Sequence, residues 1–530
     1  MNTDRREFNV IEEPIIRVEL TSSARERLTL PQVFAALVAD RVETWPSLRP
    51  HQAPAWHAFL VQIAAMGLEA LGRTAPPGDD EAGWSEVLRA LTPDWPADEP
   101  WCLVTPPRCP ALLQAPVPET ALRKYEKEFK NRVLAPDALD MLATAKNHDL
   151  KAERMRHAAP EDWLFALVSL QTQEGVMGRG NYGIARMNSG YGNRSYVSIR
   201  PTEASVGTAF RRDLVAVACA QNALWDAAQM RGLGTYEAIA LLWTVPWDGQ
   251  ESMPLSRLHP LFVEICRRVR LVRREENLFA RIANSDHSRV DAKHLHGDLA
   301  DPWTPIERSD SPKALSITAE GLSYRRMNEL LFGSSKRSWR LPLLARSRGR
   351  EGASALQIVG AGIARGQGKT EGFHRRVVDI PAKAVSLMDS GDESTAARAQ
   401  ERVRQAGEVQ GKCLRAALIV LVQKGPAEPE WKKPTNASLT KPWIDRFDTQ
   451  VDRVFFPELW QSLDMSDDDA SHAWSRTLAS LARETLEAAF EAAPRADDRR
   501  IMARARAINL LESALRRHLP SLHRAEETTQ

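Results

Sequence analysis

Long apolar runs are missing from this chain. No stretch reaches the about 18 residues that a bilayer-spanning helix needs, and the longest candidate, residues 416–422, reads as a core segment. The first residues, MNTDRREFNVIEEP, contain no apolar core of the signal-peptide kind, so secretion is not expected. Cysteine is scarce: Cys102, Cys109, Cys219, Cys266 and Cys413 are odd in number, scattered and free of any C-x-x-C pair. That excludes a four-cysteine zinc site and argues against a disulfide framework. The thiols read as buried side chains of a reducing compartment, and the expected location is the cytoplasm. Net charge is nearly absent as well. Lys and Arg number 71 against 69 Asp and Glu, a formal +2. A polyanion would therefore have to be met by local clustering, with the acids placed elsewhere. Nucleophile and metal motifs are lacking too, with neither G-x-S-x-G nor H-E-x-x-H present. The chain does not read as an enzyme, and no cofactor is expected.

What is there is ordinary globular composition, 43% hydrophobic and 26% charged over 530 residues, enough for two or three domains. Residues 8–20 read as a short strand or hairpin. Helical periodicity runs through 31–72, 162–173 and 205–244. Residues 74–118 are Pro-rich and irregular, anchored by Trp84, Trp95 and Trp101. Short β-like runs fill 260–380. Beyond Pro381 the pattern is helical: 382–424, 442–463, a helix capped by Ser466 with Asp467, Asp468 and Asp469 in its first turn, and a last one after Pro494. The third of these carries Trp474, Leu478, Leu481 and Phe490 on one face, and the last carries Ile501, Ile508, Leu511 and Leu515. The expected fold class is α+β, with a large mixed domain over 1–380 followed by a four-helix bundle over 381–530.

The densest signal is GRGNYGIARMNSGYGNR, residues 178–194. It holds five glycines (Gly178, Gly180, Gly183, Gly190 and Gly192), the arginines Arg179, Arg186 and Arg194, and no acid. Glycine permits positive φ and close backbone approach, and consecutive N–H groups so arranged form anion sites. Arginine forks match phosphate, and Tyr182 and Tyr191 offer rings. The structural alternative is a plain surface loop or a pair of hairpin turns.

Charge clusters in two places. From Arg325 to Arg376 there are twelve Lys/Arg against Glu329, Glu351 and Glu371, a local +9, which calls for a polyanionic partner or a solvated basic face. CRRVRLVRR places Arg268 and Arg270 in alternation with Val269 and Leu271, as on a strand with one wet face, with a structural role as the alternative. Inside the first cluster, residues 362–370 mimic a phosphate-binding loop ending Gly368-Lys369-Thr370. The preceding glycine, Gly362, is one residue too far upstream, so the wrap around phosphates is out of register. The set Asp286, His287, Asp291, His294, His296 and Asp298 fits no metal-ligand spacing, so no metal is expected.

Several segments, in order, resemble CasA, the large subunit of the type I-E CRISPR complex Cascade. They are FNVIEEPIIRV (8–18), ALLQAPVP (111–118), the glycine loop after a helix, LHPLFVEICRRVRL (258–271), DPWTPI (301–306), and SALQIVGAGIARGQ (354–367) with HRR (374–376) ahead of the terminal bundle. Ile15 and Ile16 replace the Trp and Pro of that family's opening, the cysteine pairs of its zinc-bearing members are absent, and the wedge reads G-Q-G-K. The resemblance implies a non-catalytic subunit that reads the protospacer-adjacent motif (PAM) of duplex DNA, largely from the minor groove. It would open the duplex for guide pairing and R-loop formation and help recruit a helicase-nuclease for antiviral defence. By position it assigns Gly178, Arg179, Gly180 and Asn181 to the glycine loop, and Gln367, flanked by Gly366 and Gly368 with Lys369 beyond, to the wedge. Lys293 or Arg289 falls to the lysine finger, and Lys146, Asn147 and His148 to the guide-RNA handle. Its partners would be guide RNA, other Cascade subunits, target DNA and the helicase-nuclease, with no membrane. The competing readings are a nucleotide-dependent enzyme using 362–370 and a scaffold protein with basic faces.

Overall fold

The structure is a computed structural model describing residues 6–140, 158–187, 192–334, 337–347, 354–366, 369–390, 393–426, 428–492 and 498–522. The chain divides into two compact units. One comprises residues 1–322, 339–351 and 356–377, the other 323–338, 352–355 and 378–530.

The first unit is a mixture of small sheets around a helical core. The helix Ala53–Ala70 lies at its centre, with every residue from Ala58 to Leu68 buried. It has no polar face because other elements cover it all round. The helix Leu30–Val38 starts in a capping box, Thr29 Oγ1 accepting from Gln32 N and Gln32 Oε1 from Thr29 N. Pro160 opens the helix Pro160–Gln173, and the Asp162 carboxylate accepts from Ala159 N at 2.7 Å. Six tryptophans, Trp56, Trp84, Trp101, Trp163, Trp243 and Trp303, are fully enclosed. Trp84 and Trp101 thereby anchor the Pro-rich segment, whereas Trp95 is only half-buried.

The sheets have two or three strands each. Ile16–Leu20 pairs antiparallel with Arg25–Leu28 and Val42–Thr44. Arg268–Arg274 pairs with Asn277–Ala283, which in turn pairs with Asn131–Val133. Leu356–Gly366 lies between Tyr196–Pro201 and Lys369–Ile380, with Ala361 opposite Tyr196. Residues 205–244 are helical only in part: the helices Val206–Cys219 and Gln221–Gln229 give way to the strand Ile239–Leu241.

The wet face expected of the Arg-rich strand is absent. Arg268 and Arg270 are buried, as are Val269 and Leu271. Arg270 donates to Thr105 O and Oγ1, Pro106 O, Cys109 O and Gln114 O. Carbonyl dipoles substitute for water, although burial still pushes the guanidinium down to about 10. Arg268 reaches Glu128 at 2.7 Å.

The second unit holds a helical bundle. Helix Glu393–Glu408 passes through a π-helical stretch, Val409–Leu414, into Arg415–Val422. Thr435–Gln461, Asp467–Glu491 and Asp498–His518 complete it. Ser466 Oγ accepts from Asp469 N at 3.1 Å, the expected cap. Trp474 sits edge-on to Phe455, 5.8 Å between ring centroids. Leu478 is buried with it, while Leu481 and Phe490 are half-buried. The last helix departs from expectation. Ile501 is 67% exposed and Ile508 38% exposed, and the face turned inward is Ala503, Ala507, Leu511 and Leu515. Alanines at two of its turns let the helix approach its neighbours closely, which an aliphatic-only reading overlooks. Helix Tyr324–Phe332 belongs to this unit: Tyr324 N donates to Asp452 Oδ1 at 2.6 Å, and Arg325 pairs with Asp448.

Candidate nucleic-acid interface

The glycine loop emerges from the C-terminal end of helix Pro160–Gln173, whose last turns carry polar side chains into the core. Gln171 uses its whole amide. Its Nε2 donates to Leu113 O and Arg267 O, and its Oε1 accepts from Cys266 N and Arg267 N. Glu174 is fully buried, its Oε2 accepting from Arg267 Nη2 at 3.0 Å. Burial pushes this carboxyl up to about 7, against the pull of Arg267 and Arg365. The same Arg267 nitrogen donates to Gly175 O at 2.8 Å. Asn193, at the far end of the loop, is also buried. Its Oδ1 accepts from Gly175 N at 2.8 Å and its Nδ2 donates to Ile363 O at 3.0 Å. One amide thus ties the loop to the strand that ends at Gly366.

The tip is a tight turn. Asn181 N donates to Gly178 O, and Met177 N to Asn181 O. Gly178 and Gly180 have φ of +100° and +81°, a region that favours glycine. Their surroundings differ. A Cβ on Gly178 would meet nothing within 4 Å, whereas one on Gly180 would lie 2.7 Å from Asn284 Cβ. Gly180 is buried, and its carbonyl accepts from Ser285 N at 3.0 Å. Gly178 and Arg179 are exposed. The outward group of the turn is therefore Gly178-Arg179, and Gly180 is where the turn seats on its support.

Arg186 and Arg194 do not face solvent. Each is 1–2% exposed and matched to an acid far away in sequence. Arg194 grips Asp301 through two bonds, 2.7 and 2.8 Å. Burial favours the neutral acid, but the Arg194 charge and hydrogen bonds hold Asp301 below the usual carboxylate range. Arg186 bonds Glu264 at 3.1 Å and stacks 3.8 Å above Phe262. Glu264 also accepts from Ala185 N. The two acids lie in LHPLFVEICRRVRL and DPWTPI, so these segments fold the loop. Isolated carboxylates inside apolar stretches are the sequence signal that would have found them.

Of the two lysine-finger candidates, Arg289 is enclosed. It donates to Leu242 O and Val245 O, and its guanidinium lies 5.3 Å from the centre of the Trp247 ring. Lys293 is exposed on the short helical turn Lys293–Leu295. Its segment is fastened to the glycine loop on both sides: upstream, Tyr182 Oη donates to Asp286 O at 2.8 Å; downstream, Gly297 packs against the Met187 backbone. Gly366 ends one strand and Lys369 begins the next. Gln367 and Gly368 between them lie outside the described residues, as do Lys146, Asn147 and His148. The residues after Lys369 form a strand through Ile380, so the helix whose N-terminus would hold nucleotide phosphates in a P-loop is replaced by sheet. The +9 cluster is divided between the units and partly neutralised from outside its own sequence, with Arg325 on Asp448 and Arg340 paired with Asp298. Among the described residues, no group of three or more His, Cys, Asp or Glu is placed to hold a metal. No helix among them is long and apolar enough to cross a membrane.

Solved structures share this architecture from end to end. CasA (Cse1) of Thermus thermophilus matches with a TM-score of 0.63 at 16% identity, covering 98% of this chain and 100% of that one. The fold is that of CasA. Cse1 of Thermobifida fusca matches with TM-score 0.64 at 16% identity over 99% and 100% of the two chains. The CRISPR-associated protein Cse1 of Acidimicrobium ferrooxidans gives 0.61 at 16% over 97% and 98%. No family model matches the sequence, and no curated protein matches it. The CasA fold is kept here with its mixed first unit and its terminal bundle.

Proposed function

We propose that this chain is the large, non-catalytic subunit of a type I-E Cascade complex, working in the cytoplasm. In this reading it recognises the PAM in target duplex DNA, starts duplex opening and R-loop formation, and helps recruit the helicase-nuclease. The observation that carries it is the joining of three elements in a CasA fold. The loop that presents the exposed Gly178-Arg179 turn is bonded both to the segment bearing exposed Lys293 and to the strand leading to Gly366. A side-chain-free turn with one arginine suits the minor groove, where base edges offer a degenerate code and a narrow floor admits only slim groups. Lys293 supplies a second cation to phosphate or groove, with Lys369 beyond the wedge. Gln367, between two glycines, would enter the opened base step. Lys146, Asn147 and His148 would hold the guide handle.

The test is co-expression with the other subunits and a guide array. The purified complex should carry an RNA of about 60 nucleotides, one guide of ~20 or more pairing bases plus its handle. It should bind duplexes according to one short flanking motif, with no ATP turnover. Complex assembly with motif-independent DNA binding would make this chain a scaffold. ATP hydrolysis lost on Lys369→Ala would make it a nucleotide-dependent enzyme.

A further inference from the structure

Within the first unit lies a cavity to which none of the residues assigned to DNA or RNA contributes. It encloses about 250 Å³, and Trp45, Trp56, Phe210 and Trp303 stand in its walls. That is below the ~300–1,000 Å³ of sites for drug-sized ligands and suits a body of one or two rings. Its polar groups are few and unbalanced. The buried Trp56 indole N–H has no hydrogen-bond partner. Arg200, on strand Tyr196–Pro201, and Arg375, on strand Lys369–Ile380, line the same space. Arg200 is half-buried with its Nε unpartnered; burial works against its charge first and the neighbouring Arg375 second, while Asp213 partly supports it. Asp213 is the carboxylate of the lining, and it is committed elsewhere. Its Oδ1 accepts from Arg212 at 3.0 Å and its Oδ2 is bonded to His57 at 2.8 Å. The cavity therefore couples aromatic walls to two guanidiniums and a single carboxylate whose oxygens are already bonded to Arg212 and His57.

We propose that this cavity binds a small aromatic anion, its ring seated among the tryptophans and its phosphate or carboxylate head held by Arg200 and Arg375. Each half of such a ligand answers a separate deficit. Ring burial removes apolar wall from water. The head gives two repelling forks a shared acceptor with matching oxygen geometry. A free inorganic anion would leave the walls wet, and a neutral ring would leave the cations without a shared acceptor.

The experiment titrates the full chain with 1-naphthyl phosphate, 1-naphthoate, 1-naphthol and inorganic phosphate by calorimetry, following tryptophan fluorescence in parallel. One or both anionic naphthyl probes should bind at a single site, at least tenfold tighter than 1-naphthol or inorganic phosphate. The tighter of the two identifies the head group. Arg375→Ala, on an exposed side chain, should weaken that binding tenfold or more with an unchanged melting curve, and Arg200→Gln should do the same. Absence of saturable binding, equal affinity for 1-naphthol, or full affinity in both variants would overturn the proposal.

Discussion

At the scale of single residues, the two glycines of the turn have different duties. Gly180 is fixed against Asn284 and Gly178 faces open space. Gly180→Ala should therefore act through folding, costing about 1–3 kcal/mol for a strained backbone and a forced shift of Asn284. Arg179→Ala is the clean probe of recognition: an unchanged melt, weaker duplex binding, and a salt dependence shallower by about one unit. Binding curves at several salt concentrations decide it, and identical slopes for wild type and variant would remove Arg179 from the interface. Beneath the turn, Glu174 makes stability depend on pH. Its folded pKa, about 7, lies above the ordinary 4.5. Between those values the folded state holds a proton that the unfolded chain has released, so stability falls as pH rises from about 4.5 to 7 and then levels off. At about 1.4 kcal/mol for each tenfold in proton affinity, the ceiling is about 3 kcal/mol. Glu174→Gln should flatten that part of the profile in denaturant melts at pH 5, 6 and 7. A variant as pH-dependent as wild type would place the titration elsewhere.

At the scale of elements, helices and strands are mostly legible in the sequence, and which face they bury is less so. Ser466 and its three following aspartates, or Pro160 with Asp162, mark helix starts by local chemistry that needs no tertiary partner. The inward face of Asp498–His518 escapes a periodicity reading because alanine is weakly apolar, and Ile501 and Met502 outweigh Ala503 and Ala507 in any such pattern. The strand Arg268–Arg274 is legible, yet its polar alternation points to water when the arginines are enclosed by carbonyls. Burial of that kind depends on residues 105–115, about 160 positions away, and no local pattern reports it. The paired strands that flank Gln367 carry the element-level expectation. Gln367→Ala should slow R-loop formation on linear duplex. The defect should shrink on negatively supercoiled DNA or a pre-opened bubble, because unpairing one step costs a few kcal/mol and either supplies it. Equal rates on linear DNA would sink the wedge role, and an equal defect on bubble DNA would make Gln367 a binding or folding residue.

At the scale of the whole molecule, near-neutral charge conceals internal pairing. Two of the loop's three arginines are consumed by Glu264 and Asp301, and in the basic cluster Arg325 and Arg340 are met by Asp448 and Asp298. The CasA resemblance is legible as an order of short segments, but which residues within them act and which fold is not. Asn193 shows why: its partners, Gly175 and Ile363, lie 18 and 170 positions away. Two compact units also imply two unfolding events. Leu511, 1% exposed in the last helix, should on replacement by Ala lose about 2–5 kcal/mol. Calorimetry should show one transition moving down while the other, belonging to the unit with the glycine loop, stays in place. A single transition shifting as a whole would show the units to unfold as one.

Arg270 has a consequence for motion. Its guanidinium is held by oxygens of Thr105, Pro106, Cys109 and Gln114, all from one irregular Pro-rich segment. That segment cannot peel away by itself without leaving a cation bare in an apolar interior, so a stretch with loop geometry inherits the opening energy of the sheet beneath it. Its amides, Leu112 and Gln114 among them, should trade hydrogen for deuterium as slowly as those of strand Arg268–Arg274.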